Sequence, residues 1–529
     1  MPNYAEVIAQ TLAGLGVEFA FGLPGGEISA FVDACRRQGI RFLLTGHESS
    51  AAIMAQVLGQ ITGIPGVCAA TLGPGATNLV TGVANAFLDR APLLAFTAQI
   101  PSNSLQTMTH QRLDLHALFN PITKRSVSIC GTEDAAGLIE ESLALAAKPR
   151  PGPVHLSLPS DIAVKSSTPA KRIAQMNSPV EERVSSNLDG VAARIAASKR
   201  PLVLAGLGAP PSAASAIRKF VEKLGAPLLV TPKAKGVVSE DHPLFLGVAS
   251  GMAVDAEIVE TIRMADVIVG IGFDPVECDK TWFAEIEIIS IDSASMAEGD
   301  YRPVESVGEI ASLLDQLVDS ITEPGQWPES MLTARRKAIA RVPKPSKNGL
   351  SPLALVEALR AVFPHDGVVT CDVGSHKLLL GQFWRTYEPG TFFMSNGLSG
   401  MGFGIPAAVA AQLAHPDRKV MAIIGDGGML MMAHDLVLIR ELRLPIVIVC
   451  LTDGSLSLIR VSQERRGFLP CGVDFQPPSF AAMAEAFGIH GRKAKSIEDV
   501  EAGLQWTLER REPILLDVSV DFREYYDLV

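Results

Sequence analysis

The sequence predicts an α/β protein of three doubly wound domains with mainly parallel sheets, spanning residues 1–165, 186–320 and 348–529. Short apolar runs rich in β-branched residues alternate with segments of helical periodicity along most of the chain. Glycines close many of those runs, where strand gives way to loop. Two polar, proline-punctuated stretches interrupt the alternation, one at 165–185 and one running from "TEPGQWPES" to "KPSKNG", and both read as linkers.

In chain order, Tyr4 to Leu15 carries an amphipathic helical pattern, followed by the strand "VEFAFGLPGG" and a helix from Ile28. Pro24-Gly25-Gly26 punctuates that junction. "IRFLLTGHESS" is the next strand, running into a helix that begins near Glu48. "GVCAATLGPGATN" reads as strand, Gly-rich loop and helix; "APLLAFTAQ" and "PVHLSLPS" are further buried strands. From Leu188 the alternation resumes with four strand candidates: "RPLVLAGLGAPP", "APLLVTPKAKG", "ADVIVGIGFDPVE" and "EIEIISIDSAS".

The third domain contains the most informative unit. Val420 to Ile424 is a short apolar run closed by Gly425, and Ile446 to Leu451 is another; between them Met429 to Leu442 has helical spacing and is stopped by Pro445. This β-α-β pattern puts Asp426 and Asp453 just past the carboxyl ends of two parallel strands, the edge where open α/β sheets bind ligands. Two carboxylates converging in a partly dry site repel one another unless a cation joins them. Oxygen ligands select a hard divalent ion, Mg²⁺ or Ca²⁺. Gly427 and Gly428 let backbone N–H groups approach an anion. The plain alternative is a pair of unrelated Asp-Gly turns.

Bulk properties narrow the class. The 529 residues carry a net charge of -11, hydrophobic content is 47% and no basic run occurs, which argues against a nucleic acid partner. Mean hydropathy is +0.25, yet no apolar stretch is long enough to span a bilayer, so no membrane is expected. The opening "MPNYAEVIAQTLAGLGVEF" does not read as a signal peptide. Seven scattered cysteines without a C-x-x-C pair read as thiols of a reducing, cytoplasmic compartment.

Glu48, at a strand-to-helix switch in "TGHESSA", would by itself be an acid favoured by the first turn of a helix. Together with Gly425-Asp426-Gly427 and the order of the three domains, it resembles the thiamine-diphosphate-dependent superfamily of acetolactate synthase, pyruvate oxidase and benzoylformate decarboxylase. That family pairs its Gly-Asp-Gly with a later Asn-Asn; here Thr452-Asp453 stands in those positions. The substitution keeps an oxygen ligand and adds a charge, as in the FAD-independent, catabolic acetolactate synthases.

The resemblance implies a pyrimidine-binding, a central and a diphosphate-binding domain, in that order, with thiamine diphosphate and Mg²⁺ as cofactors. It assigns the metal to Asp426, Asp453 and the Ser455 carbonyl, and the catalytic acid to Glu48, which drives the aminopyrimidine to its imino form. Met401 in "GLSGMGFGIPAA" matches the residue under the bend of the cofactor, and the Ser399 carbonyl would meet its amino group. Gly374, Ser375 and His376 match a diphosphate loop; Pro24, Gly25 and Gly26 match the loop above the pyrimidine. Gln111, Leu458 and Ile459 would line the substrate pocket.

The implied reaction is decarboxylation of a 2-oxo acid such as pyruvate and transfer of the resulting enamine to a second carbonyl. The alternative is a 2-oxo acid decarboxylase or C–C lyase. Family active sites draw on two subunits, so a homodimer is the minimum and a homotetramer is expected. "LAGLGAPP" gives only Gly206-x-Gly208, with Pro211 where a dinucleotide fingerprint needs glycine. "GIGFDPVECDKTWF" also resembles the FAD-independent members, and FAD is not expected.

Overall fold

The computed structural model describes residues 1–168, 187–250, 255–278, 286–343 and 349–528. Most of the linker expected at 165–185, and the end of "GIGFDPVECDKTWF", lie outside the described residues.

The strands form three six-stranded sheets. The first contains β1 (Phe19–Leu23), β2 (Arg41–Leu44), β3 (Gly66–Ala70), β4 (Leu93–Gln99), β5 (Arg125–Ser128) and β6 (Pro153–Pro159), in the order β2-β1-β3-β4-β6-β5. The second contains β7 (Pro201–Ala205), β8 (Leu228–Val230), β9 (Phe245–Val248), β10 (Val267–Ile271), β11 (Ile288–Asp292) and β12 (Val304–Val307), ordered β12-β11-β10-β7-β8-β9. The third contains β13 (Val368–Cys371), β14 (Phe392–Met394), β15 (Val420–Gly425), β16 (Ile446–Thr452), β17 (His490–Ala494) and β18 (Ile514–Ser519), ordered β14-β13-β15-β16-β18-β17. Neighbouring strands pair in parallel throughout. The α/β, doubly wound class is therefore the observed one.

Every residue of β3, β4 and β6 is buried, as expected of strands covered by helices on both faces. Inside each sheet the strand order reverses between two central neighbours: β1 and β3, β7 and β10, and β13 and β15. Chain connections leave such a pair in opposite directions and open a crevice at the carboxyl ends. The three crevices are bordered by Pro24-Gly25-Gly26, by Gly206 to Gly208, and by Gly374 with Asp426.

Three local readings change. The helix expected over Met429 to Leu442 is instead a helix Asp426–Met432, a 3-10 turn Ala433–Asp435 and a helix Leu436–Glu441. The break coincides with a buried polar anchor, Asp435, which apolar spacing cannot register. The second polar stretch contains a helix, Glu329–Ile339, whose acidic first turn and basic last turn hide the buried Leu332 and Ile339. In the central sheet the four expected runs are β7, β8, β10 and β11. β9 and β12 complete it; each is four residues long, and β12 reads Val-Glu-Ser-Val, too polar to stand out as an apolar run.

By contacts the chain forms two compact units. One joins Met1–Val180 with Gly397–Asp417 and Met432–Leu444; the other joins Glu181–Asn396 with Arg418–Met431 and Pro445–Val529. In the first, the helix Gly404–Ala414 packs against the helix Glu48–Thr62, which is buried along its first twelve residues. Among the described residues no helix is long and apolar enough to cross a membrane. All seven cysteines are free.

Candidate active site

The first unit holds Glu48. His47 caps the helix Glu48–Thr62, its Nδ1 accepting from the Ser49 N–H at 3.1 Å. Glu48 is therefore the first helical residue, and only 3% of it is exposed. Asn78 Nδ2 donates to Glu48 Oε2 at 2.9 Å, while Ser49 Oγ donates to the Asn78 carbonyl at 2.8 Å. One asparagine thus holds both the acid and the residue after it. The other oxygen, Oε1, faces Gly75, where a Cβ would come within 3.2 Å.

The Pro24-Gly25-Gly26 loop follows β1 and lies on Thr71, just past β3. A Cβ on Gly25 would meet Thr71 Oγ1 at 2.5 Å, and that hydroxyl donates to Glu27 Oε2 at 2.9 Å. Gln111 has a positive φ of 56° and packs over Gly73, where a Cβ would come within 3.0 Å of the Gln111 Cβ. Ser399, also at φ 56°, and Met401 lie on the loop before the helix Gly404–Ala414. That loop is fastened at its start by Gly397, whose N–H donates to Asp89 Oδ1 at 2.8 Å.

The second unit holds the two aspartates. Asp426 begins a helix directly after β15, and Asp453 follows β16. Asp426 Oδ2 accepts from the N–H groups of Asp453 and Gly454 at 3.1 and 2.7 Å, and Oδ1 accepts from Gly427 at 2.8 Å. Asp453 Oδ1 accepts from Ser455 N at 2.9 Å and Oδ2 from Ser457 Oγ at 2.5 Å. Burial raises the Asp426 carboxyl, against three main-chain hydrogen bonds that favour its charge. Burial also pushes the Asp453 carboxyl up to about 7, with the Asp426 charge adding to the rise.

Ser455 is buried beside them, its Oγ donating to Asp474 Oδ1 at 2.8 Å; both Asp474 oxygens accept from Arg460 at 2.7 Å. Leu458 and Ile459 sit in the first turn of the following helix, Ser457–Arg465, with Ile459 49% exposed.

The opposite wall of this crevice is the start of the helix Ser375–Phe383, after β13. Ser375 Oγ and His376 Nε2 are buried there without a hydrogen-bond partner. Burial lowers the His376 imidazole to about 4, so it is neutral. Gly425 passes close to it: a Cβ would come within 3.1 Å of His376 Cε1. At Gly428 a Cβ would meet Asp372 Oδ2 at 2.3 Å.

These residues fit a metal-bound phosphate group. The two carboxylates offer hard oxygen donors, and the raised proton affinities of Asp426 and Asp453 are what a bound cation would reverse. Two buried polar atoms at a helix start await an acceptor or donor. Among the expected residues the structure brings together Asp426, Asp453 and Ser455, and places Gly374, Ser375, His376 and Gly425 at one crevice. Glu48, the Pro24–Gly26 loop, Gln111, Ser399 and Met401 belong to the other compact unit. Asn78 and Asp474 are additional contacts to Glu48 and Ser455. Asn78 had only a weak signal, being one of several polar residues, with Thr77, Thr81 and Asn85, in the helix Pro74–Leu88; Asp474 had none.

Residues 2–118 match the thiamine pyrophosphate enzyme N-terminal TPP binding domain, 188–317 the central domain, and 372–518 the C-terminal TPP binding domain. The chain belongs to the thiamine pyrophosphate enzyme family.

Its relatives include a probable acetolactate synthase large subunit of Methanococcus aeolicus, 33% identical, with 98% of this chain and 92% of that protein aligned. The acetolactate synthase of Bacillus subtilis (strain 168) is 31% identical over 99% and 94%. The catabolic acetolactate synthase of Raoultella terrigena is 30% identical over 98% and 95%.

Proposed function

We propose that the chain is a thiamine-diphosphate- and Mg²⁺-dependent carboligase of the acetolactate synthase type. It would decarboxylate a 2-oxo acid such as pyruvate and transfer the remaining fragment to a second carbonyl. The observation that carries this reading is the pair Asp426, buried, and Asp453, partly buried, at the ends of adjacent parallel strands, with the unpartnered Ser375 Oγ and His376 Nε2 atoms at the same crevice. The names of the relatives support the reaction class.

When bound, thiamine diphosphate would supply a nucleophilic carbon and an electron sink for loss of CO₂ from a 2-oxo acid. Asp426, Asp453 and the Ser455 carbonyl hold Mg²⁺. Ser375 and His376 would hydrogen-bond the diphosphate, with Gly374, Gly425, Gly427 and Gly428 beside them at the same crevice. Glu48 shares a proton with the aminopyrimidine edge from a site shielded from water. Pro24, Gly25 and Gly26 would cover the pyrimidine ring, the Ser399 carbonyl would accept a hydrogen bond from it, and Met401 would give apolar support to the cofactor. Gln111, Leu458 and Ile459 line the substrate pocket.

We assign 1–165, 186–320 and 348–529 to the pyrimidine, central and diphosphate domains. A homodimer at minimum, with a homotetramer expected, and a cytoplasmic setting complete the proposal; the free cysteines support the last.

The test is incubation with pyruvate, thiamine diphosphate and MgCl₂, measuring CO₂ and, after acidification, acetoin. Carboligation yields acetoin in proportion to CO₂. Free aldehyde with CO₂ and no acetoin would establish the second reading, a 2-oxo acid decarboxylase or C–C lyase.

We also propose that the central domain takes no FAD. In its crevice the Leu207 N–H, a natural donor to a pyrophosphate, is already given to Glu277 Oε2 at 2.7 Å. Gly206, Gly208 and Gly272 fill the space between the two loops: a Cβ on Gly272 would come within 2.1 Å of Ala209 N. Equilibrium dialysis against FAD should leave the protein without flavin absorbance; stoichiometric retention would overturn this assignment.

A further inference from the structure

The start of the Glu48 helix is gripped on both sides by one short stretch, Met432 to Asp435, within the same compact unit. Before Glu48, Gly46 lies against the imidazole of His434, so closely that a Cβ would come within 2.4 Å of the ring. After Glu48, Ser50 Oγ donates to Asp435 Oδ2 at 2.7 Å. The same hydroxyl lies 3.3 Å from His434 Nε2 and 3.3 Å from Met432 Sδ. Having one proton, it gives it to the nearest and most basic acceptor, the carboxylate.

Asp435 is 1% exposed, and its second oxygen, Oδ1, lies 3.4 Å from His434 Nε2 without a hydrogen bond. Burying a carboxyl in this way is costly, and burial pushes its proton affinity up to about 7. An alanine or leucine at this position would spare that cost. The 3-10 turn at Ala433–Asp435 exists where this group turns inward. Met432 also fills the space over Gly402, where a Cβ would come within 2.3 Å of its Cε. The stretch therefore touches the helix start on both sides of Glu48 and the loop that carries Met401.

We propose that Asp435, acting through Ser50, is a positioning residue that fixes the first turn of the Glu48 helix and so the direction of the Glu48 carboxyl. The proposal rests on the reading of Glu48 as the acid that acts on the aminopyrimidine. Among the described residues Glu48 has one side-chain anchor, Asn78, and displacements of the order of an ångström at such a group cost roughly a hundredfold in rate.

The test needs no knowledge of the natural substrate. The holoenzyme is loaded with thiamine diphosphate and MgCl₂ and transferred to deuterated water; exchange of the thiazolium C2 hydrogen is followed by acid quench and proton NMR. Asp435→Ala and Ser50→Ala should each slow exchange at least about tenfold, with cofactor affinity within about threefold of wild type. Their double variant should be no slower than either, because both remove one bond. Asp435→Asn, which keeps an oxygen for Ser50 to donate to, should exchange within about threefold of wild type.

A purely structural role would lower the melting temperature of the alanine variants without changing exchange in the folded fraction. Exchange within about twofold of wild type in Ser50→Ala, or Asp435→Asn as slow as Asp435→Ala, would overturn the proposal. Glu48→Gln run in parallel separates the two claims. Unchanged exchange there would remove the reading of Glu48 itself, whereas slow exchange there with fast exchange in Ser50→Ala would remove only the role of Asp435.

Discussion

Glu48→Gln is expected to lower turnover of a 2-oxo acid by roughly a hundred- to ten-thousandfold, the range that positioned proton transfer contributes. The substitution preserves shape, and the glutamine carbonyl can still accept from Asn78 Nδ2, which now binds Glu48 Oε2 at 2.9 Å. What it removes is the ability to hold and release a proton at that oxygen. Thiamine diphosphate affinity should therefore change little, and the loss should appear in kcat rather than in KM. Steady-state kinetics beside a cofactor titration measure both quantities. Wild-type kcat in this variant would show that the acid is an ordinary first-turn residue.

The second large effect concerns Asp453. Asp453→Ala should weaken Mg²⁺-dependent retention of thiamine diphosphate by roughly two orders of magnitude, read as cofactor remaining after gel filtration at graded MgCl₂. The pH dependence is more distinctive. Burial and the Asp426 charge push the Asp453 carboxyl up to about 7, so below neutrality a proton would compete with the proposed Mg²⁺ for the same oxygen.

Metal binding should then release a proton, and the affinity should fall about tenfold for each pH unit below 7 while levelling off above it. Asp453→Asn, which places the more usual family residue there, should keep an oxygen ligand and lose most of that pH dependence. An isotherm equally steep in pH for Asp453→Asn and wild type would show that the titrating group lies elsewhere.

The architecture was legible because its signals are local. β15 and β16 announce themselves as β-branched runs ended by Gly425 and Asp453, and a parallel sheet then dictates that both aspartates lie at one edge. The Pro24–Gly26 loop was legible for the same reason. What escaped was anything created by the approach of distant segments. Asp435 looks like one more polar residue on an amphipathic helix until Ser50, far away in sequence, is found donating to it. Asp474 is an exposed acid whose only distinction is that Arg460 and Ser455 converge on it. The helix Glu329–Ile339 escaped because its charged ends outweigh two buried anchors in any compositional count. β12, with two polar residues in four at a sheet edge, carries too little hydrophobic pattern to stand apart from a loop.

The helix Glu48–Thr62 is wrapped partly by residues that arrive only after position 396. A chain emerging from the ribosome must therefore wait until most of its length is made before that helix can shed its last water. Excising the N-terminal portion as an independent fragment would strand a greasy rod in solvent, and recombination between relatives at the sheet borders would have to exchange both partners of that embrace at once.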